Sequence, residues 1–118
     1  MEMEEFEQNI EKSLANLPEK FSKILKEKQI SVLAREKAPQ EVKNRFKNVV
    51  VFGVFVGIPL GHLHTIATEP TRIELYKDSF EKMYTAPAEI EKQISKTVIH
   101  EVAHYFGFSE KEIRSLGY

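Results

Sequence analysis

The sequence contains no cysteine. Disulfides are therefore excluded, as are thiolate metal ligands and thiol nucleophiles. Any transition-metal site has to be built from imidazole and carboxylate groups. A charge excess of either sign is also missing, since 17 basic residues stand against 18 acidic ones for a net charge of −1. That removes the electrostatic basis for a nucleic-acid partner, and none is expected. Long hydrophobic runs are absent too. The longest, Val49 to Leu60, is about a dozen residues and carries Gly53 and Gly57, whereas a membrane span needs about 20. The opening Met1-Glu2-Met3-Glu4-Glu5 lacks the basic-then-apolar order of a secretory leader. No membrane association is expected, and the chain reads as soluble and cytoplasmic.

What is present describes an ordinary globular domain. With 118 residues, 42% apolar and 30% charged, the chain can bury roughly two thirds of its surface around one core. One domain over residues 1–118 is expected. Phe6, Ile10, Leu14 and Leu17 recur at helical spacing and predict a helix from Glu4 to Asn16. Leu17-Pro18 breaks it, and Pro18 can open a second helix with Phe21, Ile24 and Leu25 on its apolar side. Strands are predicted over Ile30 to Glu36 and Val49 to Val56, with a short helix opened by Pro39 between them. Gly53 marks a bulge or a close backbone approach. After a Gly- and Pro-containing loop, Thr71 to Tyr76 alternates as a half-buried strand and a candidate sheet edge. Asp78 with Glu81 reads as a capping pair. Pro87 opens the last long helix, Ala88 to Phe106. Gly107 suits a left-handed cap behind it, and Ser109 with Glu112 caps a final short helix.

The chemistry lies in that last long helix. His100-Glu101-Val102-Ala103-His104 is H-E-x-x-H. Histidines at i and i+4 lie one turn apart on one helix face, so both imidazoles can reach one ion. Zinc accepts such nitrogens at about 2.0–2.1 Å. Glu101 projects beside them, where it can take a proton from water and return it to a leaving group. The apolar arc Ile90, Ile94, Val98, Val102, Phe106 leaves both histidines outside it. Three residues past His104 stands Gly107, and three further Glu110. A glycine turn folds the chain back, so Glu110 can supply a carboxylate ligand. An acid in the first turn of a helix capped by Ser109 also suits the helix dipole without any metal.

At this point the sequence resembles the minimal zincin-like metallopeptidases, small bacterial single-domain proteins. The resemblance rests on His100 to Gly107 with the following Ser109-Glu110, and on Gly57-Ile58-Pro59-Leu60 after an apolar strand. The strand Arg72-Ile73-Glu74-Leu75-Tyr76, the terminal Leu116-Gly117 and the helix ending at Leu17-Pro18 extend it over almost the whole chain. It implies an α+β zincin-like fold, with a small mixed sheet packed against helices and the active-site helix near the C-terminus. It implies one zinc ion per chain, with His100, His104 and Glu110 as ligands and Glu101 as general base, acting on a peptide or protein. The family more often has Asp at the position of Glu110. A metzincin would instead place a third histidine there and a methionine turn downstream.

Two further readings remain. His62 and His64 stand two apart in the glycine-containing loop. They are read as ordinary loop histidines ahead of a substrate contact, spare ligand or second metal site. The alternative to a peptidase is a non-catalytic zinc-binding or protein-interaction module. Four protein ligands around a closed ion would be its sign, because catalytic sites keep a position for water.

Overall fold

A computed structural model describes residues 1–56 and 72–118. The Gly57–Leu60 loop, His62 and His64 fall outside the described residues. The chain begins with α1 (Met3–Ala15) and α2 (Glu19–Glu27), then β1 (Ser31–Arg35) and the short α3 (Gln40–Arg45). It continues through β2 (Gly53–Val56), β3 (Arg72–Tyr76), α4 (Lys77–Met83), α5 (Pro87–Tyr105) and α6 (Glu110–Ser115). The fold is α+β. Its described sheet has three strands in the order β1-β3-β2. β1 runs parallel to β3 with Ser31 opposite Arg72, and β2 runs antiparallel to it with Gly53 opposite Leu75.

The long helix α5 is the hub. Ile90, Ile94, Val98 and Val102 form one stripe at four-residue spacing, and all are buried. α1 packs Phe6 and Ile10 toward it, and Ser13 Oγ donates to the Glu91 carbonyl at 2.8 Å. Ile73 and Leu75 of β3 complete this core from the sheet. Fully burying each such side chain stabilises the fold by about 1.5–3 kcal/mol, so the core fixes the orientation of α5. The face of α5 that carries His100 and His104 turns away from it.

Three expectations change. The strand Arg72–Tyr76 is central, not an edge. Alternation reports which faces are covered, not which neighbours a strand has. Here both faces are covered: Glu74 is buried with Arg35 and Arg72 on its carboxylate at 2.9 and 3.1 Å, and Tyr76 is buried as well. Second, the strand expected from Val49 begins only at Gly53. Tyr76 N–H donates to the Phe52 carbonyl at 2.8 Å, and the next residue of β3 is already helical. Among the described residues, those before Phe52 therefore have no strand to pair with, and Val49 and Val50 are exposed. Third, Asp78 is not the N-cap of α4. β3 enters that helix without a loop and Tyr76 is the cap. Asp78 instead lies in the first turn, with its N–H bound to the Glu36 carbonyl at 2.9 Å and its carboxylate 3.2 Å from Lys82.

Candidate metal centre

Pro87 sits in the first turn of α5, where its fixed φ is preorganised and its missing N–H costs nothing. Nineteen residues later the helix stops in two hydrogen bonds. Phe108 N–H donates to the Ala103 carbonyl at 2.8 Å and Gly107 N–H to the His104 carbonyl at 3.4 Å. Gly107 has φ +81°, the left-handed conformation such a stop demands. Ser109 then caps α6 in a reciprocal pair with Glu112, and buried Ile113 anchors that helix. The chain reverses within these few residues, so Glu110 returns to the histidines.

The resulting geometry is compact. His104 Nε2 lies 2.8 Å from Glu110 Oε1, and His100 Nδ1 lies 3.9 Å from the same oxygen. The two imidazole rings are 5.9 Å apart and nearly perpendicular. One donor atom from each of His100, His104 and Glu110 lies within 4.8 Å of the others. The hydrogen bond from His104 holds the Glu110 carboxyl below the usual carboxylate range, helped by His100. All three side chains are at least one-third exposed, so the donors face solvent.

Glu101 lies on the inner side of this group. Burial pushes its carboxyl up, against a hydrogen bond from the Phe55 backbone N–H and the field of His104. Phe55 belongs to β2, one of the two edge strands of the described sheet. Its ring stacks on Tyr105 with centroids 4.1 Å apart and an interplanar angle of 12°, which ties the edge strand to the last turn of α5. Gly53 lets β2 lie tight against β3, with α5 close behind. A Cβ there would lie 2.7 Å from the Glu74 carbonyl oxygen, 2.7 Å from Leu75 Cδ2 and 3.4 Å from Thr97 Cγ2. Along the seam between β2 and α5 opens a cleft of about 590 Å³. Residues 49–55 form one wall, and Gln93, Lys96, Thr97, His100 and Glu101 form the other.

The sequence model of the zincin-like metallopeptidases matches residues 28–118. The chain belongs to that family. No curated protein sequence matches it significantly. As in any zincin-like metallopeptidase, a zinc site is implied, and the donor set can be tested against it. Two imidazoles and one carboxylate are the donor types that zinc takes in hydrolases of this kind. Tetrahedral zinc holds neighbouring donors about 3.4 Å apart. Relative to that spacing, the His104–Glu110 pair at 2.8 Å has to open by about 0.6 Å and the His100–Glu110 pair at 3.9 Å to close by about 0.5 Å, which exposed side chains can do at little cost. The donors fit the ion. α1 lies outside the matched segment yet packs on the zincin-like α5.

The structure thus gathers His100, His104 and Glu110 into one group, with Glu101 beside it. The Phe55 amide escaped sequence reasoning, since a backbone group leaves no trace in residue identity. Lys96 and Gln93 were legible in principle, because they precede His100 by one and two turns on the same face.

Proposed function

We propose that this zincin-like protein is a zinc-dependent peptidase in which His100, His104 and Glu110 hold one ion per chain and residues 1–118 act as one unit. The observation that carries this reading is the convergence of three donors on one point, with a carboxylate of raised proton affinity next to them. Zinc, when bound, supplies a Lewis acid that acidifies water and polarises a carbonyl oxygen. Glu101 takes a proton from the attacking water on its carboxylate and passes it to the nitrogen of the departing amine. The Phe55 N–H fixes where that carboxylate points, so the proton is received at a defined place. An extended peptide lies in the cleft along α5, beside the edge strand β2, which takes the role expected of Arg72–Tyr76. Three protein donors with solvent in front of them favour the hydrolase over a closed structural site. No described helix is long and apolar enough to cross a membrane. No nucleic-acid partner is proposed.

Metal analysis by mass spectrometry on untagged protein tests the reading. Wild type is expected to hold close to one zinc per chain, and the His100→Ala/His104→Ala double variant none. Glu101→Gln is expected to keep its zinc and lose hydrolysis of a peptide library by at least about a hundredfold. Wild type that stays metal-free after zinc addition and dialysis overturns the site. Unchanged turnover in Glu101→Gln removes Glu101 as base.

A further inference from the structure

The cleft beside the zinc site is polarised. At its inner end stand His100 and Glu101; farther along stand Lys96 on α5 and Arg45 at the end of α3. Glu101 is the single carboxylate among the described lining residues, and it is engaged by the Phe55 amide. Neither Lys96 nor Arg45 has an acidic partner among the described residues. Arg45 lies over the Phe46 ring at 5.6 Å, which leaves its N–H groups open. The rest of the outer wall is apolar and exposed: Val49 is 66% accessible, Val50 40% and Phe46 40%. Among the described residues, the cleft therefore offers two cations outside any ion pair on a hydrophobic rim.

Distance sets where these cations meet a substrate. Lys96 precedes His100 by four residues on the helix, a separation of about 6 Å along the axis. An extended peptide rises about 3.3 Å per residue, so the cation falls opposite the side chain about two positions from the reacting bond. We propose that the cleft selects peptides with an apolar residue next to the scissile bond and an acidic residue about two positions away, on the side toward the N-terminus of α5. The inference rests on the peptidase reading for the position of the bond, and it adds the substrate class.

Two fluorescein-labelled octapeptides with blocked ends test it. Both carry a central Leu-Phe pair, flanked on each side by two glutamates in one peptide and two lysines in the other. Binding is measured by anisotropy on zinc-loaded Glu101→Gln protein, where turnover is arrested equally for both. Each exposed ion pair contributes modestly, so the acidic peptide is expected to bind about three- to tenfold more tightly. Arg45→Glu/Lys96→Glu is expected to reverse the preference, and Arg45→Gln/Lys96→Gln to abolish it. Thermal melts of both variants verify the fold. Salt at about 0.5 M is expected to shrink the difference. Equal binding, a lysine preference, or no binding of either peptide up to about 1 mM overturns the proposal. Cleavage by wild type separates the two readings. Hydrolysis of both peptides at equal rates overturns the acidic preference and leaves the peptidase. Selective binding of the acidic peptide without cleavage retains the preference and overturns the peptidase.

Discussion

Two glutamates, Glu74 on β3 and Glu101 on α5, are both withdrawn from water, and they are treated in opposite ways. Glu74 is closed in: its side chain is 5% exposed and two guanidinium groups meet one of its oxygens. That oxygen is held in an ion pair from both sides, by Arg35 of β1 and Arg72 of β3. Glu101 has one backbone N–H as partner and a cleft in front of it. An acid whose burial is compensated by two cations from neighbouring strands joins those strands together. One whose burial is compensated on a single side retains a raised proton affinity and an open approach, the combination general-base work requires.

Exchanging the two roles is the strongest way to break this contrast. Glu101→Gln is expected to remove activity while leaving stability unchanged or slightly raised, since a neutral amide no longer buries a charge. Glu74→Gln is expected to leave turnover within a few-fold and to cost about 2 kcal/mol in urea unfolding. The cost is below that of a fully buried pair because Arg35 is half exposed and can rehydrate. If Glu74→Gln abolished turnover at full stability, the division of labour would be wrong. A smaller effect is expected from Gly53→Ala. Its new methyl must push β2 away from β3, at about 1–3 kcal/mol, and the Phe55 amide moves with the strand. Stability and turnover should then fall together, which neither glutamate variant does.

Ser109→Ala sharpens the comparison at the exposed donor. Loss of the cap is expected to cost about 1 kcal/mol and to weaken zinc affinity several-fold in a chelator competition, because α6 then holds Glu110 less firmly. The mildest effect concerns pH. The Glu81 carboxyl is held below its usual value by hydrogen bonds from Lys77 and from the terminal amino group. A depressed carboxyl stabilises the fold above its unfolded pKa of about 4.3. That contribution is lost as pH falls through the lower folded value. Acid titration of the unfolding midpoint is expected to show this loss in wild type and a smaller one in Glu81→Gln.

The legible part of the molecule is the part governed by short range. Helical spacing placed α1 and α5 to within a few residues, Gly107 and Ser109 marked the turn and cap found between α5 and α6, and H-E-x-x-H put two imidazoles on one face. What stayed hidden depends on neighbours. The alternation of Arg72 to Tyr76 was visible, but not the two strands beside it, so a central strand read as an edge. Val49 to Val56 looked uniformly suited to a strand, yet only the length of β3 decides where pairing stops. Asp78 with Glu81 had the letters of a cap, and the missing loop between β3 and α4 cancelled it. The contact between Glu101 and the Phe55 amide joins a side chain to a backbone group distant in sequence, and no local pattern encodes it.

The glycine turn at Gly107 has a consequence for how function would be lost. It brings all three proposed donors from the stretch between His100 and Glu110, so closing the site demands little loop entropy and few contacts from elsewhere. The aim of Glu101, by contrast, depends on β2 staying seated against α5. On the proposed reading, holding the ion and using it therefore rest on different contacts, joined by the Phe55–Tyr105 stack. Openings of a folded chain are graded, from fraying segments up to the whole domain. On that reading, an opening that lifts β2 while the end of α5 stays wound is expected to leave a chain that retains its zinc and has lost turnover.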